Sequence, residues 1–161
     1  SMVDICELLR KVITLVNTQA ILNNIMIEDQ LPSQLPRLEC VENRIKQLLI
    51  NLFKNAIEAM PDGGRIRITA SVAEESDQLY VKIMDEGCGI PADRLKRLGE
   101  PFYSTKEKGM GMGLMLSYKI VEEHQGHICF ESEVNVGTTV SVMLPLRQNG
   151  KRVNLQDVGR G

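Results

Sequence analysis

The sequence lacks several features that would assign it to a familiar class of protein. Its longest apolar runs are short, so it has no predicted membrane span, and no secretory signal precedes the first predicted helix. It also lacks a clustered excess of Lys and Arg: the formal net charge is −2, which argues against binding to a nucleic-acid backbone. We therefore expect no membrane contact by this chain, no nucleic-acid partner and a cytoplasmic location, which is compatible with a membrane-anchored parent protein.

Cysteine and histidine patterns typical of metal sites are absent too. The four cysteines contain no C-x-x-C pair, and neither histidine lies near them at zinc-ligand spacing. This spacing favours isolated thiols in a reducing compartment. What the chain does have is 161 residues, of which 43% are hydrophobic and 25% charged, and this suits one soluble domain with its own core.

Hydrophobic periodicity predicts four helices and six strands. The predicted helices span Asp4–Gln19, Glu42–Met60, Pro91–Leu98 and Leu114–Glu123. The predicted strands span Ile21–Glu28, Leu38–Val41, Arg65–Val72, Leu79–Met84, His127–Glu133 and Thr138–Leu144. Because strands come in hairpin pairs rather than in strict β-α-β alternation, the expected fold is α+β, a two-layer sandwich with helices packed on one face of a mixed β-sheet. Residues 1–147 are expected to form this domain, and residues 148–161, fraying from about Arg147, a disordered tail.

The helix predicted at Glu42–Met60 carries a polar stripe opposite its apolar face. Asn51 and Asn55 lie one helical turn apart on that stripe. A solvated polar face is the simpler interpretation, and for a helix taken alone it is the better one. Asparagine in mid-helix is somewhat unfavourable, however, because its side chain favours caps and turns, so the pair weakly indicates a second purpose.

Two glycine-rich segments stand beside predicted strands and helices. The segment Asp85–Ile90 follows a strand, where Gly87 and Gly89 permit positive φ or a close backbone approach; a tight turn with an Asx cap explains it equally well. The segment from Lys106 to Leu114 runs into a helix, where unpaired N–H groups and lysines favour phosphate, although a flexible linker is the alternative. This second segment matches neither the G-x-x-x-x-G-K-[ST] loop nor the G-x-G-x-x-G fingerprint that follows a strand.

Together and in this order, these segments resemble the histidine kinase ATPase family, whose superfamily includes type II topoisomerases, mismatch-repair ATPases and heat-shock chaperones. Gln47–Met60 is similar to the N box, Asp85–Ile90 to the G1 box, Pro101–Lys106 to the F box, Gly109–Leu114 to the G2 box and Gly137–Thr139 to the closing G3 element. The resemblance covers residues 3 to 147, and its Pro-Phe-Tyr-Ser-Thr-Lys lid is similar to that of sporulation and nitrogen-regulatory kinases. The fold that it implies is the Bergerat ATP-binding fold of this superfamily.

The resemblance implies ATP and Mg²⁺ as cofactors. Asp85 would accept a hydrogen bond from the exocyclic amine of adenine, because a carboxylate only accepts and a guanine would present an oxygen there. Asn55 would bind Mg²⁺ through its amide oxygen, and Asn51 and Lys106 would act with it in catalysis. The further nucleotide contacts implied are Gly87, Gly89, Ile90 and Thr138 or Thr139 at the base, and Lys106, Gly109, Gly111, Gly113 and Leu114 at the phosphates.

The activity implied is transfer of the γ-phosphoryl group of ATP to a protein histidine in a two-component sensor kinase. Relatives that hydrolyse ATP have Glu at the position of Asn51, and because an amide cannot act as a general base, we expect poor hydrolysis. His124 and His127 are the only histidines, and neither lies in a helical acceptor motif. The acceptor is therefore expected on a separate dimerisation and histidine-phosphotransfer domain of the parent kinase, with a response regulator as an indirect partner.

Two alternatives remain open from the sequence. A stand-alone anti-sigma-factor serine kinase shares the fold at about this length, although its lid usually lacks Pro-Phe-Tyr-Ser-Thr-Lys. A non-catalytic nucleotide-binding module is the other, although every nucleotide box is intact here. The residue type that becomes phosphorylated, and calorimetry with Mg-ATP, would distinguish these three interpretations.

Overall fold

The structure, a computed structural model, describes residues 1–73, 75–97 and 110–148, except for the side chains of residues 110–113. The helices in this part of the chain are α1 (Ile5–Leu22), α2 (Glu42–Glu58), α3 (Ala92–Leu95) and α4 (Met110–Glu123). The strands are β1 (Met2–Val3), β2 (Ile25–Gln30), β3 (Leu38–Glu39), β4 (Gly64–Ala73), β5 (Gln78–Asp85), β6 (His127–Glu133) and β7 (Gly137–Pro145). No helix among these residues is both long and apolar enough to span a membrane.

Five strands form one mixed sheet in the order β2-β4-β5-β7-β6. Strand β2 runs parallel to β4, and the other neighbours are antiparallel. Alternate side chains of β4, β5 and β7, such as Ile68, Val81 and Val142, are buried against the long helices α1, α2 and α4, whereas the intervening ones are exposed or half-buried. The predicted α+β sandwich, with helices on one face of a mixed sheet, is confirmed.

The first helix is longer than predicted, and the strand after it is shorter. Asp4 caps α1 as expected, since its side chain accepts a hydrogen bond from the Glu7 N–H at 3.1 Å. The strand predicted at Ile21–Glu28 is wrong at its start, because the last turn of α1 runs to Leu22. The helix stops where Asn24 adopts a left-handed φ of 62°, a conformation that asparagine tolerates at helix ends.

The remaining boundaries differ from the predictions by small amounts. Helix α2 ends at Glu58, two residues before the predicted end, and β3 is two residues long instead of four. Helix α3 occupies only the middle of the segment predicted to be helical, and Leu98 lies outside the described residues. The strand β1, which pairs with β3, was not predicted because two residues show no periodicity.

The predicted fraying near the carboxyl end does not extend to Arg147 and Gln148. The Leu146 N–H donates to the Asp77 carbonyl at 3.0 Å, and the Gln148 N–H donates to the Glu39 carboxylate at 2.9 Å. The Gln148 side-chain amide also donates to the His124 carbonyl at 2.9 Å, so this residue is buried against the end of α4. Residues 149–161 lie outside the described part of the chain, and the tail stays a prediction there.

Candidate nucleotide site

A groove runs between α2, the loop after β5 and the strands β6 and β7. Its apolar wall consists of Leu52, Ala56, Ile83, Phe130 and Val140. Polar side chains lie at its margin: Asn55 from α2, Asp85 from the end of β5, Arg94 from α3 and Thr138 from the start of β7. The structure therefore brings together Asn55, Asp85 and Thr138, which are far apart in the sequence.

Asp85 has one carboxylate oxygen held by backbone hydrogen bonds and a second oxygen that these bonds leave open. Its Oδ1 accepts hydrogen bonds from the Gly87 N–H at 2.8 Å and the Thr138 N–H at 3.2 Å. Within the described residues, no donor reaches Oδ2. Burial raises the pKa of the carboxyl group above its usual value, and the two backbone hydrogen bonds oppose that shift. A fixed carboxylate with one free acceptor at a groove margin is suited to a ligand that donates a hydrogen bond.

The glycines of the loop allow it to pack closely against neighbouring backbone, and their contact with a base stays a prediction. A Cβ on Gly87 would lie 2.6 Å from the Ala59 carbonyl oxygen on the end of α2. Gly89 has a φ of 78°, and a Cβ there would lie 2.3 Å from the carbonyl oxygen of Glu133. The sequence interpretation placed both glycines against the base; in the structure they let the loop fit between α2 and the β6–β7 hairpin. Gly89 still lines the groove, as does Ile90.

Ser132 connects the loop to the start of β7 and was missed by the sequence analysis. Its Oγ accepts from the Ile90 N–H at 2.8 Å, donates to the Gly137 carbonyl at 3.1 Å and lies 2.8 Å from the Thr138 Oγ1. Strand pairing sets Asp85, Thr138 and Ser132 opposite one another in a single row across β5, β7 and β6. The signal was present: Ser132 continues the inward-facing alternation of β6, two residues after Phe130.

Thr138 and Thr139, which the sequence did not distinguish, lie on opposite faces of β7. Thr138 faces the groove and is 8% exposed. Thr139 is half-buried on the outer face of the sheet and does not line the groove, because successive side chains of a strand alternate between faces. Of the two threonines, the structure selects Thr138.

Asn55 lies beside the apolar face of α2 rather than opposite it. It shares the groove wall with Leu52 and Ala56, three residues before it and one after it. The Nδ2 atom of its side-chain amide is buried and has no hydrogen-bond partner among the described residues. A buried, unpaired amide calls for an explanation, and a ligand in the groove provides one. Asn51, one turn earlier, is half-buried and does not line the groove.

The donor set fits a magnesium ion held mainly by a ligand. No group of three or more His, Cys, Asp or Glu side chains that could hold a metal occurs within the described ranges. Mg²⁺ in phosphate-binding sites takes few protein ligands and completes its octahedron with phosphate oxygens and water. A single amide oxygen from Asn55 is compatible with such a site. It would not be enough to bind a metal ion without the ligand's phosphates.

The segment predicted to hold the phosphates is described only in part. Lys106 and Gly109 lie outside the described residues. Helix α4 begins at Met110, four residues earlier than predicted, so Gly111 and Gly113 belong to its first turn instead of preceding it. Leu114 is the fifth residue of the helix, beyond the four positions whose N–H groups lack a helical partner, and its side chain is buried. The role predicted for the Leu114 N–H is therefore not supported.

His124 is part of the framework that holds α4. Its side chain is 1% exposed, its Nδ1 donates to the Ile120 carbonyl at 2.9 Å and its Nε2 accepts from the Val41 N–H at 3.1 Å. These two bonds require the neutral ring, and burial lowers the pKa of His124 below its usual value. Both ring nitrogens are thus occupied, which agrees with the expectation that His124 is not a phosphoacceptor. His127 is exposed at the start of β6.

Comparison with known proteins agrees with this geometry. Residues 40–148 match the family described as histidine kinase-, DNA gyrase B- and HSP90-like ATPases. The chain belongs to this family. It is 48% identical over 147 residues to sporulation kinase E of Bacillus subtilis, covering 91% of this chain and 20% of that protein. It is 44% identical over 144 residues to sporulation kinase C of the same organism, covering 89% of this chain and 33% of that protein. The chain therefore spans a third or less of these relatives.

A solved structure of similar length matches nearly end to end. The catalytic domain of the histidine kinase ThkA, in a nucleotide-free form, superimposes with a TM-score of 0.83 and 33% identity, covering 94% of this chain and 98% of that one. The histidine kinase ShkA in complex with AMPPNP superimposes with a TM-score of 0.82 and 27% identity, covering 92% of this chain and 31% of that one. The chain is thus a histidine kinase catalytic domain of this ATPase family.

Proposed function

We propose that this chain binds Mg-ATP in the groove and transfers the γ-phosphoryl group to a histidine on a separate dimerisation and phosphoacceptor domain. The observation that carries the proposal is the Asp85 carboxylate at the margin of an apolar groove, where one of its oxygens has no donor among the residues that the structure describes. An adenine ring would bury its faces against the apolar wall and donate its exocyclic amine to that oxygen. Family membership and the AMPPNP complex of ShkA support ATP as the ligand.

Each described residue then has a defined task. Asp85 and Thr138 bind the base edge, and Asn55 holds Mg²⁺, whose charge offsets that of the phosphates when it is bound. Asn51 supports the phosphate side, and as an amide it cannot take a proton from water, so the phosphoryl group is kept for the acceptor. The phosphate contacts of Lys106, Gly109, Gly111 and Gly113 stay predictions.

The partners follow from the same proposal. A histidine kinase ThkA structure in complex with the response regulator TrrA superimposes on this chain with a TM-score of 0.78 and 28% identity, covering 43% of that chain. We propose a response regulator as the indirect partner of this domain also, reached through the phosphorylated histidine. Because ATP is an intracellular substrate, we place the domain in the cytoplasm.

Incubation with γ-labelled Mg-ATP tests the transfer. The chain alone should incorporate no label, and addition of the dimeric acceptor domain of its parent kinase should produce acid-labile, base-stable phosphohistidine on that domain. Transfer should be inefficient, because the covalent link that raises the effective concentration is missing. Label on serine of a partner would favour the serine-kinase alternative. Label on His124 or His127 of this chain would overturn the assignment.

A further inference from the structure

Ser132 occupies the centre of the hydrogen-bond row at the base end of the groove. Three groups lie within hydrogen-bond distance of its Oγ: the Ile90 N–H, the Gly137 carbonyl and the Thr138 hydroxyl. Ser132 itself does not line the groove. It lies behind Thr138, which does, so any effect of Ser132 on a ligand passes through its neighbours.

The protons of this row can be assigned by counting. A serine hydroxyl has one proton to donate and two lone pairs to accept with. The Ile90 N–H donates to Ser132 and fills one lone pair, and the Gly137 carbonyl can only accept, so it takes the single Ser132 proton. The contact of 2.8 Å between the two hydroxyls is then a hydrogen bond only if Thr138 donates to Ser132. This is the one assignment that makes all three bonds at once.

As a consequence, the Thr138 hydroxyl can only accept hydrogen bonds from a ligand in the groove. With its proton turned toward Ser132, the Thr138 Oγ1 offers only lone pairs to a ligand. Asp85 Oδ2 also offers only lone pairs, as long as the carboxyl group is ionised. The Asp85 and Thr138 side chains therefore present acceptors alone, and they favour a ring edge, or a bridging water, that donates to them. We propose that Ser132 is a positioning residue that sets nucleotide-base specificity by holding the Thr138 hydroxyl as an acceptor.

This inference rests on the proposed function, since it concerns the base of a nucleotide bound in the same groove. ATP and ITP are the informative pair, because they differ at the six-membered ring edge. ATP carries an exocyclic amino donor beside a ring-nitrogen acceptor, whereas ITP carries an oxo acceptor beside a ring N–H donor. When Ser132→Ala removes the acceptor, the Thr138 proton becomes free to turn into the groove and donate to the oxo group. The ratio of the ITP Kd to the ATP Kd should then fall roughly fivefold to tenfold, the size of one neutral hydrogen bond.

The ratio of the ITP Kd to the ATP Kd distinguishes a positioning role of Ser132 from a merely structural one. Ser132→Ala also removes the partners of Ile90 and Gly137, so both affinities can decline together, but a merely structural role leaves their ratio unchanged. Ser132→Thr keeps a hydroxyl and should restore the ratio. The matched control is Ser141→Ala, a serine on the outer face of β7, which should change neither affinity.

A double-mutant cycle with Thr138→Val tests the pathway. Without the Thr138 hydroxyl, adding Ser132→Ala should produce no further change in the ITP to ATP ratio. An unchanged ratio in the Ser132→Ala single mutant, or an equal change with and without the Thr138 hydroxyl, overturns the inference while ATP binding by the wild-type chain stands. A wild-type chain that binds neither Mg-ATP nor Mg-ITP contradicts the proposed function itself.

Discussion

Two polar clusters in the described part of this domain differ in where their unpaired oxygen lies. The His124 cluster, formed by His124, Val41 and Gln148, occupies both nitrogens of the imidazole ring with backbone partners. Its one oxygen without a partner among the described residues, Gln148 Oε1, is buried and does not line the groove. The Asp85 cluster, formed by Asp85, Ser132 and Thr138, leaves one carboxylate oxygen at the groove without a donor among the described residues. Burial shifts the pKa of both titrating groups toward the neutral form, upward for the acid and downward for the imidazole.

The difference teaches how a framework site can be distinguished from a binding site of similar composition. The His124 cluster joins the end of α4 to the chain before α2, where Arg44 and Glu123 also form a bidentate ion pair with distances down to 2.8 Å. The Asp85 cluster joins a loop to two strands, yet it faces a groove. The first should therefore govern stability, and the second ligand affinity.

Asp85→Asn is the change with the largest expected effect. The new side chain can keep its oxygen on the two backbone N–H groups, and it then presents an amino donor where the free acceptor was. Because a charged hydrogen bond is lost and two donors face each other, Mg-ATP affinity should fall about 100-fold. Calorimetric titration measures the affinity, and a thermal melt should show little change in stability. Wild-type affinity in this variant would remove Asp85 from the site.

His124→Ala should have its main effect on stability. The substitution leaves the part-buried Val41 N–H without its acceptor and opens a cavity at the end of α4, so the free energy of unfolding should fall by about 3 kcal/mol. Chemical denaturation measures this loss. His127→Ala is the matched control, because that histidine is exposed and its removal should change little. If the two variants were equally stable, the His124 cluster would not be part of the framework.

Asn55→Ala should leave the fold intact and weaken the metal-dependent part of binding. The buried Nδ2 has no partner to lose among the described residues, so the melting temperature should stay near that of the wild type. Mg-ATP affinity should decrease at least about tenfold, whereas binding of ATP in EDTA should change much less. A collapse of thermal stability would instead assign Asn55 a structural role.

The smallest expected effects are those of pH, which should act on stability through His124 and on Mg-ATP affinity through Asp85. Because the pKa of His124 is lowered in the folded state, the unfolded chain takes up the proton first, and stability should decline as pH falls below about 6.5. The raised pKa of Asp85 has the opposite sign for stability, its contribution being lost as pH rises through the folded value. Mg-ATP affinity should nevertheless decline on acidification, since the neutral acid loses its charge. His124→Asn should flatten the stability profile and leave the affinity profile unchanged.

The fold was predictable from hydrophobic periodicity. The errors of that prediction lie in segments where periodicity carries no information. The apolar run around Ile21 and Leu22 was interpreted as a strand because an exposed last helical turn looks the same in sequence. Asp85 and Asn55 could be identified from motif resemblance. The alternation of β6 could have placed Ser132 on the inward face, but its position opposite Thr138 follows only from the strand register. The reason for Gly87 was likewise hidden, because its close neighbour, Ala59, belongs to a distant helix.

The central claim is that the free oxygen of Asp85 selects an adenine base. A calorimetric titration of the wild-type chain with Mg-ATP and, separately, with Mg-GTP tests it most directly. The account predicts one saturable site for ATP and affinity for GTP at least about 100-fold weaker, because the guanine oxygen would face an acceptor. Equal affinities for the two nucleotides would contradict it.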